Sequence, residues 1–111
     1  MKKLFISQPM KDKTQEQIMK ERADAVEMAK AILDDDVEVM DTYFTDFDES
    51  TMKNVPLRYL ARSIEMLADA DAAFFAPGWS DARGCKIEHQ CAMAYGIDVV
   101  CDDMYPNTVE E

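Results

Sequence analysis

Short apolar runs alternate along this chain with longer stretches in which apolar residues recur at helical spacing. Short apolar runs, each typical of a buried strand, occur at Lys3–Ile6, Val37–Met40, Ala70–Ala76 and Val99–Cys101. Three longer stretches between them carry apolar residues at helical spacing, which predicts one helix in each interval. The predicted order is therefore strand, helix, strand, helix, strand, helix, strand.

Residues that commonly begin and end helices mark the first two predicted helices. Thr14 and Gln17 have the spacing of a capping box, and the acidic run 34–36 is expected to form a solvated turn at the other end. Pro56 suits the first turn of the second helix. The predicted apolar face of that helix consists of Leu57, Leu60, Ala61, Ile64, Leu67 and Ala68.

The third helix is expected to meet the sheet through a face that its spacing defines. Ser80 or Asp81 is predicted to cap its start, and Gly96 to end it after about Tyr95. At about 100° per residue from Gly84, the predicted sheet-facing residues are Ile87, Cys91, Ala94 and Tyr95.

This alternation of elements is the pattern of a parallel sheet with helices on both faces. Right-handed crossovers favour the strand order 2-1-3-4, so we predict a small Rossmann- or flavodoxin-like α/β sandwich of three layers. Ligands bind such sheets beyond the carboxyl ends of the strands where chain direction reverses, here strands one and three. The loops at that edge are Ser7–Lys13 and Ala76–Gly84, where function is expected to lie.

Length and charge narrow the classes of function. The 111 residues suit a single domain spanning 1–111, with a polar tail at 102–111 and an irregular segment at 41–55 that is either a functional loop or a disordered one. The net charge of −11 disfavours nucleic-acid polymers and anionic membranes as partners. We expect no membrane-spanning helix and no secretory leader, and three cysteines beside nine methionines indicate a reducing cytoplasm.

Glu88 is the first candidate for chemistry. It falls about 40° from Gly84, at the edge of the predicted sheet-facing side, whereas Lys86 and His89 are predicted to point away. Burial would raise the pKa of this carboxyl, and the helix N-terminus would partly offset the rise. Buried acids are rare unless they are paired or functional. A functional carboxylate and a structural one bonded to Arg83 or to backbone donors both fit this placement.

The two loops supply groups that can hold a small ligand. Gly78 lets the backbone approach a ligand closely, and Arg83 can bind a phosphate or a carboxylate through two hydrogen bonds. Trp79 can stack on a flat ring or serve in packing. Lys11 and Lys13 lie in the other loop, opposite these residues, and are either ligand contacts or solvated charges. No Walker A loop and no G-x-G-x-x-G fingerprint occurs, so ATP and dinucleotide binding have no direct support.

Cys85 and His89 lie four residues apart, a spacing that can bind a metal from one helix face. His89 is the only histidine in the sequence, and further ligands at usable spacing are missing. We therefore interpret both as packing or surface residues, and we expect neither a metal nor a cofactor.

Two long segments resemble a known family. Phe5–Met10 with Lys13–Thr14 is similar to the opening of domain-of-unknown-function family 4406, and Ala70–Asp71 followed by Phe75–His89 is similar to its second signature. The resemblance covers nearly the whole chain. That family in turn resembles a compact member of the nucleoside 2-deoxyribosyltransferase superfamily, which includes deoxynucleoside monophosphate N-glycosidases.

The resemblance implies a catalytic set of Glu88, Asp81 and Ser63. The superfamily pattern of a glycine, three residues and a glutamate ends here on Glu88, which is then the nucleophile attacking the anomeric carbon of a deoxyribonucleoside or its 5′-monophosphate. Ser63 stands where superfamily members have an aspartate. Asp81 lies one position before Ala82, where another superfamily acid occurs. The expected substrate contacts are Ser7, Gln8, Pro9, Met10, Lys11, Gly78, Trp79, Arg83 and Gly84.

Three further expectations concern partners and alternative functions. Superfamily members draw site residues from a neighbouring subunit, so the resemblance implies a homodimer or larger homo-oligomer. The alternative function is a non-catalytic protein that binds a nucleotide or an ADP-ribose-like molecule in the same pocket. A third hypothesis is a protein-interaction module that uses the acidic aromatic segment Tyr43–Phe47. The base, the need for a 5′-phosphate, and hydrolysis as against transfer stay open.

Overall fold

The computed structural model of the chain describes residues 1–41 and 48–101. In this part of the chain the strands are β1 (Lys2–Ser7), β2 (Val37–Val39), β3 (Ala72–Phe75) and β4 (Asp98–Cys101). The α-helices there are α1 (Gln15–Leu33), α2 (Val55–Leu67) and α3 (Arg83–Ala94), and two short 3-10 helices span Glu49–Thr51 and Trp79–Asp81. The expectations for the segment Tyr43–Phe47 and for the tail 102–111 lie outside the described residues.

The four strands form one parallel sheet in the order β2-β1-β3-β4, which confirms the predicted topology. β1 and β3 are neighbours, and their register pairs Leu4 with Ala72 and Ser7 with Phe75. Phe75 in turn pairs with Cys101 of β4. The carboxyl ends of the two central strands therefore lie side by side, and Ser7 is the last residue of β1 at that edge.

Two apolar layers cover the faces of the sheet, as expected for a Rossmann-like α/β sandwich. Successive residues of a strand point to opposite faces, so β1 and β3 contribute to both layers. The layer under α1 contains Leu4, Ile6, Ala25, Ala29, Ala72, Phe74, Ala76 and Val100. The layer under α2 and α3 contains Phe5, Leu67, Ala73, Phe75 and Ala92. Each buried phenylalanine or leucine contributes about 1.5–3 kcal/mol, which is how this core holds the site's elements in place.

Both ends of α1 and the C-terminal end of α3 match their sequence signals. The Thr14 hydroxyl accepts from the Gln17 amide N–H at 3.1 Å, and the Gln17 side-chain oxygen accepts from the Thr14 amide N–H at 2.9 Å, which completes the capping box. Asp34 ends α1 in the left-handed conformation with φ of 53°. Gly96 follows α3 with φ of 76°, a conformation that costs glycine little.

The start of α3 differs from the prediction that Ser80 or Asp81 caps it. Both residues lie in the 3-10 helix Trp79–Asp81, and Ala82 is the N-cap, without a side-chain cap bond. The cause is a tight turn at Gly78, whose φ of 88° directs the chain into that short helix before α3 begins. The first turn of α3 therefore lacks a capping side chain.

The sheet-facing side of α3 is rotated by roughly 100° from the predicted one, about one residue's step around the helix. Its buried residues are Cys85, Glu88 and Ala92, whereas Ile87 is 37% exposed and Tyr95 is 83% exposed. Small or polar side chains at these positions let the helix pack closely on β3. Glu88 thus lies within the buried face rather than at its edge.

The remaining helix surfaces mix apolar and polar side chains. Leu67 of α2 is buried as predicted, but Leu57, Ala61 and Ala68 are exposed. Within residues 1–41 and 48–101, no helix combines the length and the apolar character needed to cross a membrane.

Candidate active site

An open cleft of about 500 Å³ lies at the carboxyl ends of β1 and β3. Four segments line it: the loop after β1, residues 56–63 of α2, Ala82, and the first two turns of α3. Its residues are Gln8, Pro9, Met10, Lys11, Pro56, Tyr59, Leu60, Ser63, Ala82, Gly84, Cys85 and Glu88. We call this the central cleft. It occupies the edge of the sheet where the topology favours ligand binding.

Glu88 is a buried acid that lines the central cleft. Its side chain is on the second turn of α3, and the residue is only 8% exposed. The Ser7 hydroxyl donates to Glu88 Oε1 at 2.6 Å, and Ser63 of α2 makes a second side-chain hydrogen bond to the carboxyl. A hydrogen bond to a charged group contributes about 1.5–3 kcal/mol. Three elements thus meet at this carboxyl group.

Burial raises the pKa of Glu88 above that of an ordinary glutamate, and the hydrogen bonds from Ser7 and Ser63 oppose that rise. Desolvation disfavours the charged form, whereas hydroxyl donors favour it. Within the described residues, Glu88 makes no ion pair with a cation. The carboxyl is therefore held by neutral hydroxyl donors rather than by a paired charge.

Cys85 is a neighbour of Glu88 that spacing alone did not single out for this role. The residue is 5% exposed and lines the central cleft beside Ser7. Burial raises the pKa of the Cys85 thiol, and the charge of Glu88 adds to the rise, while Ser7 and Lys13 oppose it. The thiol is therefore protonated at neutral pH.

Gln8 is fixed by contacts with α1. Its side-chain amide nitrogen donates to the Ile18 carbonyl at 3.2 Å and to Glu21 at 3.4 Å, and its oxygen accepts from Arg22 at 3.4 Å. Lys13 donates to both oxygens of Glu21, at 2.7 and 2.9 Å. This network anchors the loop after β1, so Gln8 shapes the cleft wall with its amide already bonded.

Two neighbouring clefts meet the central cleft at Gly84. The first, here the loop cleft, has about 490 Å³ and is lined by Pro9, Lys11, Gly78, Asp81, Ala82, Arg83 and Gly84. The second, here the helix cleft, has about 590 Å³ and is lined by Asn54, Pro56, Leu57, Leu60, Arg83, Gly84 and Ile87. Asp81 and Arg83 are thus adjacent to the central cleft and do not line it.

Gly78 and Gly84 differ in backbone conformation and in the space that a Cβ atom would have. Gly78 is in the left-handed region, and a Cβ there would lie 3.5 Å from the Pro9 ring. A Cβ on Gly84 would meet Leu60 at 3.9 Å, an ordinary contact distance. The Gly78 position therefore needs glycine for its conformation, whereas Gly84 leaves open space between α2 and α3.

Trp79 packs on His89, away from the three clefts. The two rings stack with centroids 4.1 Å apart and an interplanar angle of 16°, and Phe75 contacts both. The prediction that His89 points away from the sheet is wrong, because the rotation of α3 turns it toward Phe75. Of the two expectations for Trp79, packing is the one that these contacts show.

Tyr59 is the aromatic residue that lines the central cleft, and the sequence reasoning missed it. Its hydroxyl donates to Glu49 at 2.7 Å, which fixes the ring. Pro56, Leu60 and Cys85 were also missed. One signal was available: the helix that follows β2 begins at the carboxyl edge of the sheet, so its first turns border the ligand site.

The described residues contain no group of three His, Cys, Asp or Glu side chains placed to hold a metal ion. Cys85 lines the central cleft, whereas His89 stacks on Trp79, so these two side chains serve separate contacts. No disulfide joins any two of the three cysteines. The chemistry that this site offers is that of a buried carboxyl group flanked by hydroxyl and thiol groups.

The fold and the cleft define a Rossmann-like α/β protein with a buried acid at the carboxyl edge of its parallel sheet. A family comparison gives the finer assignment. The family described as "Domain of unknown function (DUF4406)" matches residues 2–101, and the chain belongs to this family. Searches of curated proteins and of solved structures found no match.

Proposed function

We propose that the protein cleaves or transfers an N-glycosidic bond of a deoxyribonucleoside or its 5′-monophosphate, with Glu88 as the nucleophile. One observation carries the proposal: an acid that is 8% exposed faces an open cleft and is held by hydroxyl donors instead of a cation. Perturbed acids in clefts mark functional sites. The resemblance to the nucleoside 2-deoxyribosyltransferase superfamily supports the same assignment.

The reaction suits a single carboxylate nucleophile. A Glu88 oxygen attacks C1′ of the sugar, the C1′–N bond breaks, and its electron pair leaves with the base. Positive charge builds on the sugar in the transition state, which the carboxylate stabilises before it forms a covalent ester. Water then releases the sugar in hydrolysis, or a second base accepts it in transfer.

The other side chains have distinct roles in this proposal. Tyr59, beside Pro56 and Leu60, offers an apolar wall for the flat base. Ser63 positions Glu88 and the sugar. In the loop cleft, Lys11 and Arg83 can bind a 5′-phosphate, and Asp81, which lines the same cleft, is the proposed proton donor or acceptor.

A second candidate function is non-catalytic binding of a nucleotide or an ADP-ribose-like molecule in the same clefts. Glu88 is the only carboxylate among the described residues that line the central cleft. Superfamily members pair the nucleophile with a further acid, and here Ser63 and Ala82 occupy the two positions concerned. A hydroxyl cannot take the role of a carboxylic acid at neutral pH, which favours binding without turnover.

Chromatography after incubation with a panel of deoxyribonucleosides and their 5′-monophosphates tests the proposal. We expect free base from the wild type and none from Glu88→Gln. Glu65→Gln, the same change on the exposed surface of α2, is the matched control and should keep full activity. No base from any compound, together with a melting shift for one of them in both wild type and Glu88→Gln, would instead establish the binding protein.

We also propose that the protein is a homodimer or larger homo-oligomer. Leu57, Ile87 and Tyr95 leave an apolar surface on α2 and α3 that the single chain does not bury. Light scattering after size-exclusion chromatography measures the mass directly. A mass of 12.7 kDa at high concentration would show a monomer and remove this part of the proposal.

A further inference from the structure

Gly84 alone, among the residues that the structure describes, lines the central cleft, the loop cleft and the helix cleft. The central cleft and the helix cleft also share Pro56 and Leu60. The loop cleft and the helix cleft also share Arg83. The three clefts therefore meet where α3 begins, and a ligand in one of them lies next to the other two.

Neither the backbone nor the packing requires a glycine at position 84. Its backbone is outside the left-handed region, unlike that of Gly78, and an added Cβ would meet only the Leu60 side chain, at 3.9 Å. Glycine is a poor helix former, so alanine would suit this first turn of α3 better. What the missing side chain provides is open space at the junction of the three clefts.

The helix cleft and the loop cleft differ in the chemistry of their walls. Leu57 and Ile87 line the helix cleft and are 57% and 37% exposed, so apolar surface faces solvent there. The loop cleft has two cations, Lys11 and Arg83, and one anion, Asp81. Within the described residues, none of these three charged side chains forms an ion pair. One cleft thus suits an apolar group, and the other suits an anion of a single charge.

We propose that the three clefts form one extended site for a nucleoside 5′-phosphodiester, in which the phosphate carries a second, apolar or aromatic group. The nucleoside lies in the central cleft against Glu88, the phosphate lies at Lys11 and Arg83, and the second group lies in the helix cleft. Gly84 determines this specificity, because it leaves the junction open. The inference deepens the proposed function and rests on it for the placement of the nucleoside.

Charge favours a diester over a monoester in the loop cleft. A phosphate monoester carries about −1.5 to −2 charges at pH 7, whereas a diester carries about one negative charge. Two cations beside Asp81 balance a diester, but they leave a monoester with excess negative charge in a protein whose net charge is −11. Arg83 lines both the loop cleft and the helix cleft, so a phosphate bound to its guanidinium has the helix cleft beside it.

Apolar surface supplies the binding energy for the second group. The helix cleft has about 590 Å³, and four of its lining residues are apolar: Pro56, Leu57, Leu60 and Ile87. Removing such surface from water strengthens binding in proportion to the area buried. In this arrangement a 5′-monophosphate leaves that surface in water, and an aromatic ester of the same phosphate covers it.

Titration calorimetry with matched ligand pairs tests the inference. Each of the four deoxyribonucleoside 5′-monophosphates is compared with its p-nitrophenyl ester, which adds a ring and removes one ionisation. The protein is Glu88→Gln, which cannot cleave the ligands by the proposed route. For at least one base, we expect the ester to bind about tenfold more tightly than the monophosphate. p-Nitrophenyl phosphate, which lacks the nucleoside, should bind more weakly than either.

Further variants locate the preference for the ester. Gly84→Leu and Ile87→Ser should each remove it, and Gly84→Ala should reduce it while the melting temperature stays equal or rises. Tyr95→Ser is the matched control and should keep it, because Tyr95 is exposed at the end of α3 but lines none of the three clefts. Should Gly84→Leu not fold, Gly84→Ala and Ile87→Ser test the same site.

The two proposals can fail separately. Equal affinity for every ester and its monophosphate, or no binding of any pair, would overturn the extended site. A preference that survives both Gly84→Ala and Ile87→Ser would also overturn it, since the ring would then bind elsewhere. Base release without a preference for the ester leaves the glycosidase proposal intact. A preference for the ester without base release from any compound leaves the extended site and removes the glycosidase.

Discussion

Two acids at the carboxyl edge of the sheet are held in opposite ways. On the α1 side, Glu21 forms an ion pair with Lys13 at 2.7 Å and also accepts a bond from Gln8. On the α2–α3 side, Glu88 is bonded to the hydroxyl groups of Ser7 and Ser63. We call these the Glu21 cluster and the Glu88 cluster.

The difference separates an anchor from a reactive group. Pairing with Lys13 neutralises the charge of Glu21, and the resulting contacts hold the loop after β1 in place. Neutral donors satisfy Glu88 without neutralising it, so its charge stays costly to bury and available for chemistry. Proteins tolerate such a cost mainly at functional sites. The Glu88 cluster is therefore expected to govern activity and the Glu21 cluster to govern loop stability.

The largest expected effect is on turnover. Glu88→Gln should reduce base release by about 10³-fold or more, since removing a nucleophile eliminates the covalent route. Glu21→Gln should reduce it by less than about tenfold, because it only loosens the loop that carries Pro9 and Lys11. Both rates are measured by chromatography of the released base.

Reversed or equal results would contradict the different roles assigned to the Glu21 and Glu88 clusters. A drop for Glu21→Gln as large as that for Glu88→Gln would show that the loop network takes part in the reaction. Glu65→Gln again controls for the loss of one surface charge and should match the wild type.

Two aromatic residues, one in the central cleft and one outside the clefts, test whether the substrate binds beside the Glu88 cluster. Tyr59→Leu removes a ring from the central cleft and should raise KM about tenfold, since an aromatic contact with a base contributes roughly 1–3 kcal/mol. Trp79→Leu breaks the stack on His89 outside the clefts and should leave KM unchanged. Initial-rate kinetics at several substrate concentrations distinguish the two variants.

The pH dependence of the free energy of unfolding measures what it costs to bury the Glu88 carboxylate. The folded-state pKa of Glu88 is raised by burial, so its stabilising contribution is complete below the ordinary glutamate pKa and is lost as pH rises through the raised value. At pH 8 the free energy of unfolding of Glu88→Gln, measured by urea titration, should therefore exceed that of the wild type by about 1 kcal/mol. At pH 4 the two should be equal.

Other carboxyl groups titrate alike in both proteins and cancel in that difference. A Glu88→Gln gain that is the same at pH 4 and pH 8 would show that packing, and not ionisation, is responsible. A loss of stability at both pH values would show that Glu88 is a structural acid like Glu21.

The fold was predictable because its signals are local and repeated. The capping box at Thr14, the glycine at Gly96 and the apolar run of β1 each mark one element, and the handedness rule then orders the strands. The rotation of α3 was not predictable from spacing. Ile87 and Tyr95 are apolar yet exposed, and the helix packs through Cys85 and Ala92 because the tight turn at Gly78 sets where α3 begins.

The candidate site was predictable in its location and only partly in its members. Topology placed the cleft at the ends of β1 and β3, and spacing singled out Glu88. Tyr59 and Cys85 were missed, because their place in the cleft depends on how α2 and α3 pack. Whether Trp79 stacks on a ligand or packs on another side chain likewise depends on tertiary packing, and here His89 covers the face of its ring.

The smallest expected effect concerns the ion pair of the Glu21 cluster. Lys13 and Glu21 side chains are 26% and 35% exposed, so Lys13→Met should lower the free energy of unfolding by about 0.5–1 kcal/mol at low salt. Lys20→Met, in the more exposed pair with Asp24, is the matched control and should cost less. In 1 M salt both losses should shrink, because screening weakens surface pairs. If the Lys13 loss persists in salt and base release falls with it, Lys13 acts beyond anchoring, and the two clusters are one functional unit.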